Sequence, residues 1–592
     1  MTAFLHRRRM LSRVAFLVIT AAVLVWQDRL EVLETASFQL SRGDNEHAAI
    51  NTLVYVAVYT ACILGIVAGL LHPWRWVRWT GVAIAALFSA MHVGFAGVNG
   101  RGFGHHEAML FWSESQFTSS ALAFFAPQIA GPVLLVLLVW AALGWAGSRI
   151  RFRRGGLLLA ALPCFAIYAA SYVTGVTFGK VFQFPAPARV PVVAEWSYAH
   201  RVPLYGERAA PRITASHPPL TDHLILVMDE SISGHWLGVN GASPDTTPWL
   251  SSAPEGVFNY GIASAISNLS SSSNIVLQAG LRADDLPDRD LRALRDANIF
   301  SYMSAAGFRT AMIDAQSYSQ RPPNMMTQFD IDALDLYSQL RQQEPGLPEY
   351  EVDQASLPRI QRILRESDRS FSYVLKNGAH LPYADKFPPS LAPPGGPKKQ
   401  DESTLLDYMA AVQWSSDRYL SSLAALIEAS GVEALVVYTA DHGQSLAEPE
   451  WDASSRVTPH ATELDPPSAQ ASVPLLLLAF GSGTRAEMAE RFHAELRDRV
   501  SAFEIFPTLL ESAGYDRNEI QMAFAPSLFD ASAERGVRIF ASGNIFAREG
   551  GFYILNPGMG SSCHLNVFQT PRPRAIRLAD AAESADTKGA ED

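Results

Sequence analysis

The chain contains little cysteine. It has 3 cysteines in 592 residues. Cys62 and Cys164 lie in apolar segments, which leaves Cys563 in the polar remainder. A lone cysteine excludes a disulfide framework within that remainder. Its stability must therefore come from a hydrophobic core, which a stretch of about 400 residues is long enough to bury.

Positive charge is also scarce beyond residue 180. The chain up to Lys180 has 14 lysines and arginines against 7 aspartates and glutamates, whereas the rest has 33 against 51. A nucleic-acid surface needs a basic face, so the acidic part is not expected to bind nucleic acid. The length alone requires at least two units. The sequence therefore predicts an apolar, basic first part and an acidic, water-soluble second part.

Five apolar stretches precede residue 180, and no internal repeat is found. A helix needs about 20 apolar residues to cross a bilayer, and we interpret each stretch as a spanning helix. The five ranges are Val14–Trp26, Asn51–Leu71, Trp79–Val98, Ala121–Trp145 and Gly156–Thr174. Arginine-rich segments recur on one side of these spans, so the positive-inside rule predicts a cytoplasmic N-terminus and an external C-terminal part. His92, inside the third span, is a nominal functional candidate, but we interpret it as a packing residue.

An α/β domain is expected from His223 onward. Strand-like apolar runs alternate there with helical stretches such as Leu405–Ser430 and Arg485–Ala513. This alternation is typical of an α/β fold with a central, largely parallel sheet. We expect a five-helix transmembrane domain at 1–180, a proline-rich linker at 181–219, an extracytoplasmic domain at 220–577 and a disordered tail at 578–592.

Acidic and imidazole side chains follow several of the predicted strands. In open α/β sheets, ligands bind beyond the carboxyl ends of the strands. The residues at these ends are Asp229 and Glu230, Asp314, His380, and Asp441 with His442. Glu230, Asp441 and His442 together supply the oxygen and nitrogen donors that zinc takes. The sequence therefore predicts a metal centre at this edge of the sheet.

A serine-rich stretch, Ser267–Asn274, precedes the apolar Ile275–Leu277. A hydroxyl at the start of a helix and beside a metal ion could attack phosphorus as an alkoxide. The same composition also describes a polar cap or a flexible loop. The composition alone leaves these alternatives open.

Several motifs occur in an order that resembles one family. They are Val227–Ser231, Val239–Gly241, Thr246–Leu250, Asn377–Tyr383, Asp441–Leu446, Pro459–His460, Val473–Pro474 and Phe506–Gly514. Together they resemble the alkaline-phosphatase-like, sulfatase-type superfamily. Within it they are most similar to the membrane branch of lipid A phosphoethanolamine transferases, which includes the mobile colistin-resistance enzymes. The resemblance spans most of residues 220–515, and five spans before an external domain fit the same branch.

The resemblance implies roles for individual residues. Glu230, Asp441 and His442 match the zinc ligands of the family. Counting five from Ser267, as the family motif does, makes Ser272 the nucleophile and a further ligand of the metal, with Ser271 as the second choice. His380 and His460 match histidines that bind substrate or a second zinc, so one or two zinc ions are implied, with manganese as the alternative. Leu375 stands where the family has another substrate histidine, and Lys376 and Arg321 are expected to contact phosphate instead.

The resemblance also implies an activity. The expected reaction moves a phosphoethanolamine-type head group from a phospholipid to a cell-envelope acceptor, lipid A or another glycan, through a covalent phosphoserine. The protein would lie in the inner membrane with its catalytic domain in the periplasm. Two alternatives stay open: a phosphoglycerol transferase or phosphodiesterase of the same superfamily, and an inactive sensor of an envelope ligand. A formylglycine sulfatase is disfavoured because the region around Ser272 lacks the required Pro and Arg spacing.

Overall fold

The computed structural model divides the chain into two compact units, Met1–Leu204 and Tyr205–Asp592. The structure describes residues 2–29, 32, 45–99, 103, 108, 118–150, 184–199, 207–288, 290–317, 322–396, 405–444, 468–532, 538–542, 545–546, 551–555 and 566–568. The predicted tail, 578–592, lies outside these ranges.

The first unit is helical and apolar. Its helices are α1 (Thr2–Gln27), α2 (Asn45–Leu70), α3 (Arg75–Asn99), α4 (Thr118–Ser148) and α5 (Ala186–Ala199). Three segments of the described residues are long and apolar enough to cross a membrane: Met10–Gln27, Arg75–Gly97 and Ile129–Ser148. A shorter apolar helix covers Tyr55–Leu70. The fifth predicted span, Gly156–Thr174, lies outside the described residues. The predicted fold class, an apolar helical region followed by an α/β domain, is confirmed.

A buried polar network fixes the start of α5 within the first unit. The Asp28 carboxylate accepts hydrogen bonds from the Ala186 N–H at 3.0 Å, from Tyr59 Oη at 2.7 Å and from Arg189 Nη2 at 3.4 Å. Arg189 Nη2 also lies 3.1 Å from Nδ1 of His92. Asp28, His92 and Arg189 are each buried to 99% or more. His92 is thus hydrogen-bonded in an ionic network, which goes beyond the packing role expected of it.

The segment predicted to be a linker therefore contains a helix. Pro185 and Pro187 bracket the first residue of α5, where a proline costs little because the first N–H groups of a helix have no partner inside it. The Asp28 carboxylate accepts a hydrogen bond from one of these N–H groups. Its negative charge also interacts favourably with the dipole at the helix N-terminus. The helix depends on a partner 158 residues away in sequence.

A mostly parallel sheet organises the second unit. Its strands are β1 (His223–Asp229), β2 (Val257–Ser264), β3 (Arg309–Asp314), β4 (Leu336–Gln339), β5 (Ser370–Leu375), β6 (Ala434–Ala440) and β7 (Ser472–Phe480). Their order is β2-β7-β6-β1-β5-β3-β4, and only the pairs that involve β7 are antiparallel. Every residue of β1, β5 and β6 is buried, as expected for strands covered on both faces.

Helices connect and follow these strands. They are α6 (Pro248–Ser251), α7 (Ser270–Ala279), α8 (Arg292–Arg295), α9 (Ile299–Ala305), α10 (Gln328–Asp332), α11 (Leu340–Gln343), α12 (Glu349–Val352), α13 (Ser356–Glu366), α14 (Leu405–Val412), α15 (Tyr419–Ser430), α16 (Ser468–Ala471), α17 (Ser482–Arg491), α18 (Ile505–Ser512) and α19 (Arg517–Ala523). A π-helical segment, Gln413–Arg418, joins α14 to α15. One buried cluster packs α13 and α15 against Val227, Val374 and Val436 of the central strands. A second, antiparallel sheet contains β8 (Arg538–Ser542), β9 (Gly551–Leu555) and β10 (Asn566–Phe568).

Candidate metal centre

Glu230, Asp441 and His442 meet at the carboxyl edge of the central sheet. β1 and β6 are adjacent parallel strands whose register pairs Asp229 with Ala440, so Glu230 and Asp441 emerge at the same level. The Asp441 N–H donates to the Asp229 carbonyl at 3.1 Å and holds the two strand ends together. All three side chains are buried, and one ligand atom of each lies within 4.8 Å of the others.

His442 presents Nε2 to the two carboxylates. Its Nδ1 lies 2.8 Å from the Gly443 carbonyl oxygen, a contact in which Nδ1 donates and Nε2 is left to face the carboxylates. Nε2 lies 3.5 Å from Glu230 Oε1 and 3.8 Å from Asp441 Oδ2. Asp441 Oδ1 accepts from the N–H groups of Ser231 and His442, whereas the buried Oδ2 has no hydrogen-bond partner among the residues that the structure describes. Three donors that converge in this way fit a divalent cation, and two carboxylates with one imidazole suit zinc.

The electrostatics of Glu230 agree with this fit. Burial raises the pKa of the Glu230 carboxyl well above its ordinary value, and the Asp441 carboxylate raises it further. Both effects penalise the charged form, and a bound cation reverses them. With three protein ligands, such a site keeps a coordination position for a nucleophile or a substrate.

Ser270, at the start of α7, contacts this cluster. Its Oγ lies 3.3 Å from Glu230 Oε1 and 3.3 Å from His442 Nε2. Ser270 is the first residue of α7, a ten-residue helix. The free N–H groups and the dipole of a helix N-terminus stabilise negative charge there. A hydroxyl in this position is suited to act as a nucleophile.

The contact described here involves Ser270, whereas the sequence interpretation favours Ser272 and Ser271, which stay predictions. Successive residues of an α-helix are rotated by about 100°, so the two serines that follow Ser270 lie on other faces of α7. Ser272 is fully buried and Ser271 is 6% exposed. Ser273 is turned toward Ser267, whose N–H donates to Ser273 Oγ at 3.0 Å. Counting residues from Ser267 does not single out Ser270, because the serine that faces the cluster depends on the residue at which the helix begins.

Gln316 is a further residue of the site that the sequence interpretation missed. Its Nε2 donates to Glu230 Oε2 at 2.8 Å and to the Lys376 carbonyl at 2.9 Å. Gln316 lies two residues beyond the end of β3, and its own N–H donates to Asp314 Oδ1 at 2.9 Å. Asp314, the acid expected at the end of β3, therefore stabilises a turn through its side chain. Gln316 would have been among the candidates if residues up to two positions beyond each predicted strand end had been considered.

Lys376 was predicted to contact phosphate, but the structure places it in the interior. Its side chain is fully buried, and Nζ donates to Asp229 Oδ2 at 2.6 Å and to Ser415 Oγ at 3.2 Å. The ammonium also lies 4.5 Å from the ring centroid of Tyr419. A lysine at the end of a strand can point to either side of the sheet edge, and the buried Asp229 carboxylate accounts for the inward direction.

His380 lies on the loop that follows β5. It is half-buried, and its Nδ1 lies 2.7 Å from the Leu381 carbonyl oxygen. Burial, aided by the positive charge of Lys386, lowers the pKa of His380 to about 4, so the ring is neutral near pH 7. The two other predicted substrate residues, His460 and Arg321, lie outside the described residues.

Comparisons with known proteins agree with the architecture of this domain. Residues 222–515 match the family model described as Sulfatase. No curated protein sequence matches the chain.

Solved structures resemble the chain at low sequence identity. The integral membrane lipooligosaccharide phosphoethanolamine transferase A (EptA) of Neisseria meningitidis aligns with a TM-score of 0.50 at 13% identity, over 84% of this chain and 96% of that one. This similarity shows a shared fold. The zinc complex of the periplasmic domain of EcEptC from Escherichia coli aligns with a TM-score of 0.46 at 19% identity, over 61% of this chain and 97% of that one. The periplasmic domain of EptC from Campylobacter jejuni aligns with a TM-score of 0.41 at 18% identity, over 52% and 93%.

Proposed function

Because the chain carries a domain of the sulfatase family at residues 222–515, we propose that it transfers a phosphoethanolamine-type head group from a phospholipid to a cell-envelope acceptor. The acceptor is lipid A or another glycan of the envelope. The motif resemblance supports this choice, and the EptA protein with the same fold is described as a lipooligosaccharide phosphoethanolamine transferase and an integral membrane protein.

The observation that carries the proposal is the contact between Ser270 and the three candidate ligands. A hydroxyl at a helix N-terminus lies 3.3 Å from both Glu230 Oε1 and His442 Nε2. Asp441 Oδ2, which accepts no hydrogen bond from any described residue and lies 3.8 Å from His442 Nε2, belongs to the same cluster. A binding protein without catalysis would have no reason to bury a carboxylate oxygen without a partner. The cluster therefore favours an enzyme over an inactive sensor.

We assign Glu230, Asp441 and His442 as the residues that hold zinc, with manganese as the alternative. When bound, the metal lowers the pKa of a neighbouring hydroxyl and neutralises charge on phosphoryl oxygens. The protein orients Ser270 through the start of α7, where the helix dipole favours negative charge on Oγ. His380, neutral near pH 7, serves as a hydrogen-bond partner or a second-metal ligand rather than as a cation. His460 and Arg321 are proposed to line the same site.

Two displacements at phosphorus complete the reaction. In the first, Ser270 Oγ forms a bond to the head-group phosphorus while the bond between phosphorus and the glycerol oxygen breaks. The serine loses its proton, and diacylglycerol leaves as the alcohol after gaining one. In the second, a hydroxyl or phosphate oxygen of the acceptor bonds to phosphorus, the bond to Ser270 breaks, and Ser270 regains a proton. Membrane attachment keeps the enzyme close to its lipid donor, which favours the first step.

The test is intact mass spectrometry of the full-length, zinc-loaded protein after incubation with phosphatidylethanolamine and, separately, with phosphatidylglycerol. The wild type should gain the mass of one phosphoethanolamine and release diacylglycerol. Ser270→Ala should lose both, whereas Ser271→Ala and Ser272→Ala, which change neighbours on the same helix, should retain the adduct.

Other outcomes of this experiment would lead to different conclusions. An adduct that survives in Ser270→Ala and disappears in Ser272→Ala contradicts the choice of nucleophile. An adduct formed only with phosphatidylglycerol identifies a phosphoglycerol transferase, and diacylglycerol release with water as the sole acceptor identifies a phosphodiesterase. Absence of both adduct and diacylglycerol in the wild type contradicts the proposed enzyme.

A further inference from the structure

The two oxygens of the Glu230 carboxylate have different surroundings. Oε1 accepts from Ser231 Oγ at 2.8 Å and lies 3.3 Å from Ser270 Oγ and 3.5 Å from His442 Nε2. Oε2 accepts from Gln316 Nε2 at 2.8 Å. Oε1 thus faces Ser270 and His442, and the amide of Gln316 holds Oε2.

The Gln316 amide is itself held in one orientation. Its Nε2 has two acceptors, Glu230 Oε2 and the Lys376 carbonyl, and its Oε1 lies 3.4 Å from the Nδ2 donor of Asn324. The reversed amide would direct an oxygen at two other oxygens. The hydrogen-bond network therefore defines which end of the amide faces Glu230. The turn formed by Asp314 fixes the backbone at the same point.

We propose that Gln316 is a positioning residue that sets the orientation of Glu230 and leaves Oε1 directed at Ser270 and His442. This inference rests on the proposed metal-dependent function. The chemistry of an amide suits the task, since it donates hydrogen bonds without a positive charge. A lysine or arginine at this point would compete with the metal ion for the charge of Glu230.

The contacts of Gln316 separate this role from a structural one. The side chain is half-buried and its hydrogen bonds run to Glu230, to the Lys376 carbonyl and to Asn324. None of these bonds belongs to the ladder of the central sheet. Removal of the amide should therefore disturb Glu230 more than the stability of the fold. Outer-shell hydrogen bonds of this kind typically change metal affinity by about 10–100-fold.

The test compares zinc affinity in full-length wild type, Gln316→Met and Gln339→Met by competition with a chromophoric chelator. Methionine keeps the length of glutamine and removes its amide. Gln339 is the matched control because it is half-buried at the carboxyl end of β4, in register with Asp314. We expect Gln316→Met to weaken zinc binding about 10–100-fold, with the unfolding midpoint of the metal-free protein close to that of wild type. Gln339→Met should bind zinc as wild type does.

Kinetics provide a second measurement. If Gln316 positions Glu230, kcat of Gln316→Met should fall at limiting zinc and recover largely at saturating zinc, while KM for phospholipid stays unchanged. A purely structural role would lower the unfolding midpoint and leave zinc affinity intact, and that result would overturn the proposal.

Asp441→Ala distinguishes a failure of the metal centre from a failure of the role proposed for Gln316. If wild type binds zinc, Asp441→Ala does not, and Gln316→Met binds as tightly as wild type, the metal centre stands and the role of Gln316 is refuted. If the wild type has no zinc site that depends on Asp441, both the metal centre and the role of Gln316 are refuted.

Discussion

Gly378 lies against the backbone of Glu230. A Cβ at this position would come within 2.5 Å of Asp229 Oδ1 and of the Glu230 carbonyl oxygen, and within 2.6 Å of the Glu230 nitrogen. Its φ of +51° is in the left-handed region, where other residues are strained by about 1–2 kcal/mol. Any side chain at this position therefore has to displace Glu230, a residue of the candidate metal centre.

We expect Gly378→Ala to lower zinc affinity and turnover at least about tenfold, since a misplacement of about 1 Å at a catalytic group can cost 100-fold. Chelator competition and diacylglycerol release measure the two effects. Gly431→Ala is the control, because Gly431 has φ +66° but no atom within 4 Å of an added Cβ. Unchanged zinc binding by Gly378→Ala would show that the contact is relieved without moving Glu230.

Some site residues were predictable because their positions follow from strand order alone. Glu230, Asp441 and His442 come within two residues after a buried apolar run, and parallel neighbours end at the same edge. Ser270 was not predictable in this way, since the facing serine depends on the first residue of the helix. The ion pair between Lys376 and the buried Asp229 was not predictable either, because it is a tertiary contact that the local pattern does not contain.

The loop that follows β5 is anchored by charged groups on α12. Glu349 pairs with Arg341 and with Lys386 Nζ at 3.1 Å, and its Oε2 accepts from Asn377 Nδ2 at 3.1 Å. Burial alone would raise the pKa of Glu349, but the bonds from Arg341 and the charge of Lys386 outweigh it and lower the pKa to about 2. This carboxylate therefore links the element that carries His380 to the rest of the domain.

The lowered pKa of the Glu349 carboxyl predicts how the stability of the fold changes with pH. The Glu349 pairs stabilise the fold fully above its ordinary pKa of 4.5 and progressively less as the pH falls toward about 2. The unfolding midpoint of metal-free wild type should exceed that of Glu349→Gln at pH 7, and this difference should shrink between pH 4.5 and 2. Glu351→Gln, on the same helix, is the control. A difference that does not change with pH would contradict the assignment.

Helix α5 shows why one element escaped prediction. The local sequence is rich in proline, which is typical of a linker, and no apolar periodicity marks a helix. The stabilising partner of its first turn, Asp28, belongs to the end of the first helix. The strands of the sheet needed no such partner, because their apolar runs and the turn residues that end them are local features.

The proposed topology places the domain that matches the Sulfatase family model outside the cytoplasm. Met522, which is 76% exposed, and Trp74, which is 51% exposed between α2 and α3, offer sites for a single cysteine. In a background without the 3 native cysteines, Met522→Cys should react with an impermeant maleimide in cells whose inner membrane is intact. Trp74→Cys should react only after lysis. The opposite pattern would contradict the predicted orientation.

The burial of Asp28 has a consequence for biosynthesis. Its carboxylate is translated 31 residues before Tyr59, 158 before Ala186 and 161 before Arg189. At a synthesis rate of about 5–20 residues per second, the interval before the last partner emerges is on the order of ten seconds. Throughout that interval the Asp28 carboxylate lacks its contact with Arg189. The helical unit thus reaches its final packing only after a segment beyond all the predicted spans has been made, and a nascent chain that stops before residue 186 lacks the contacts of Asp28 with Ala186 and Arg189.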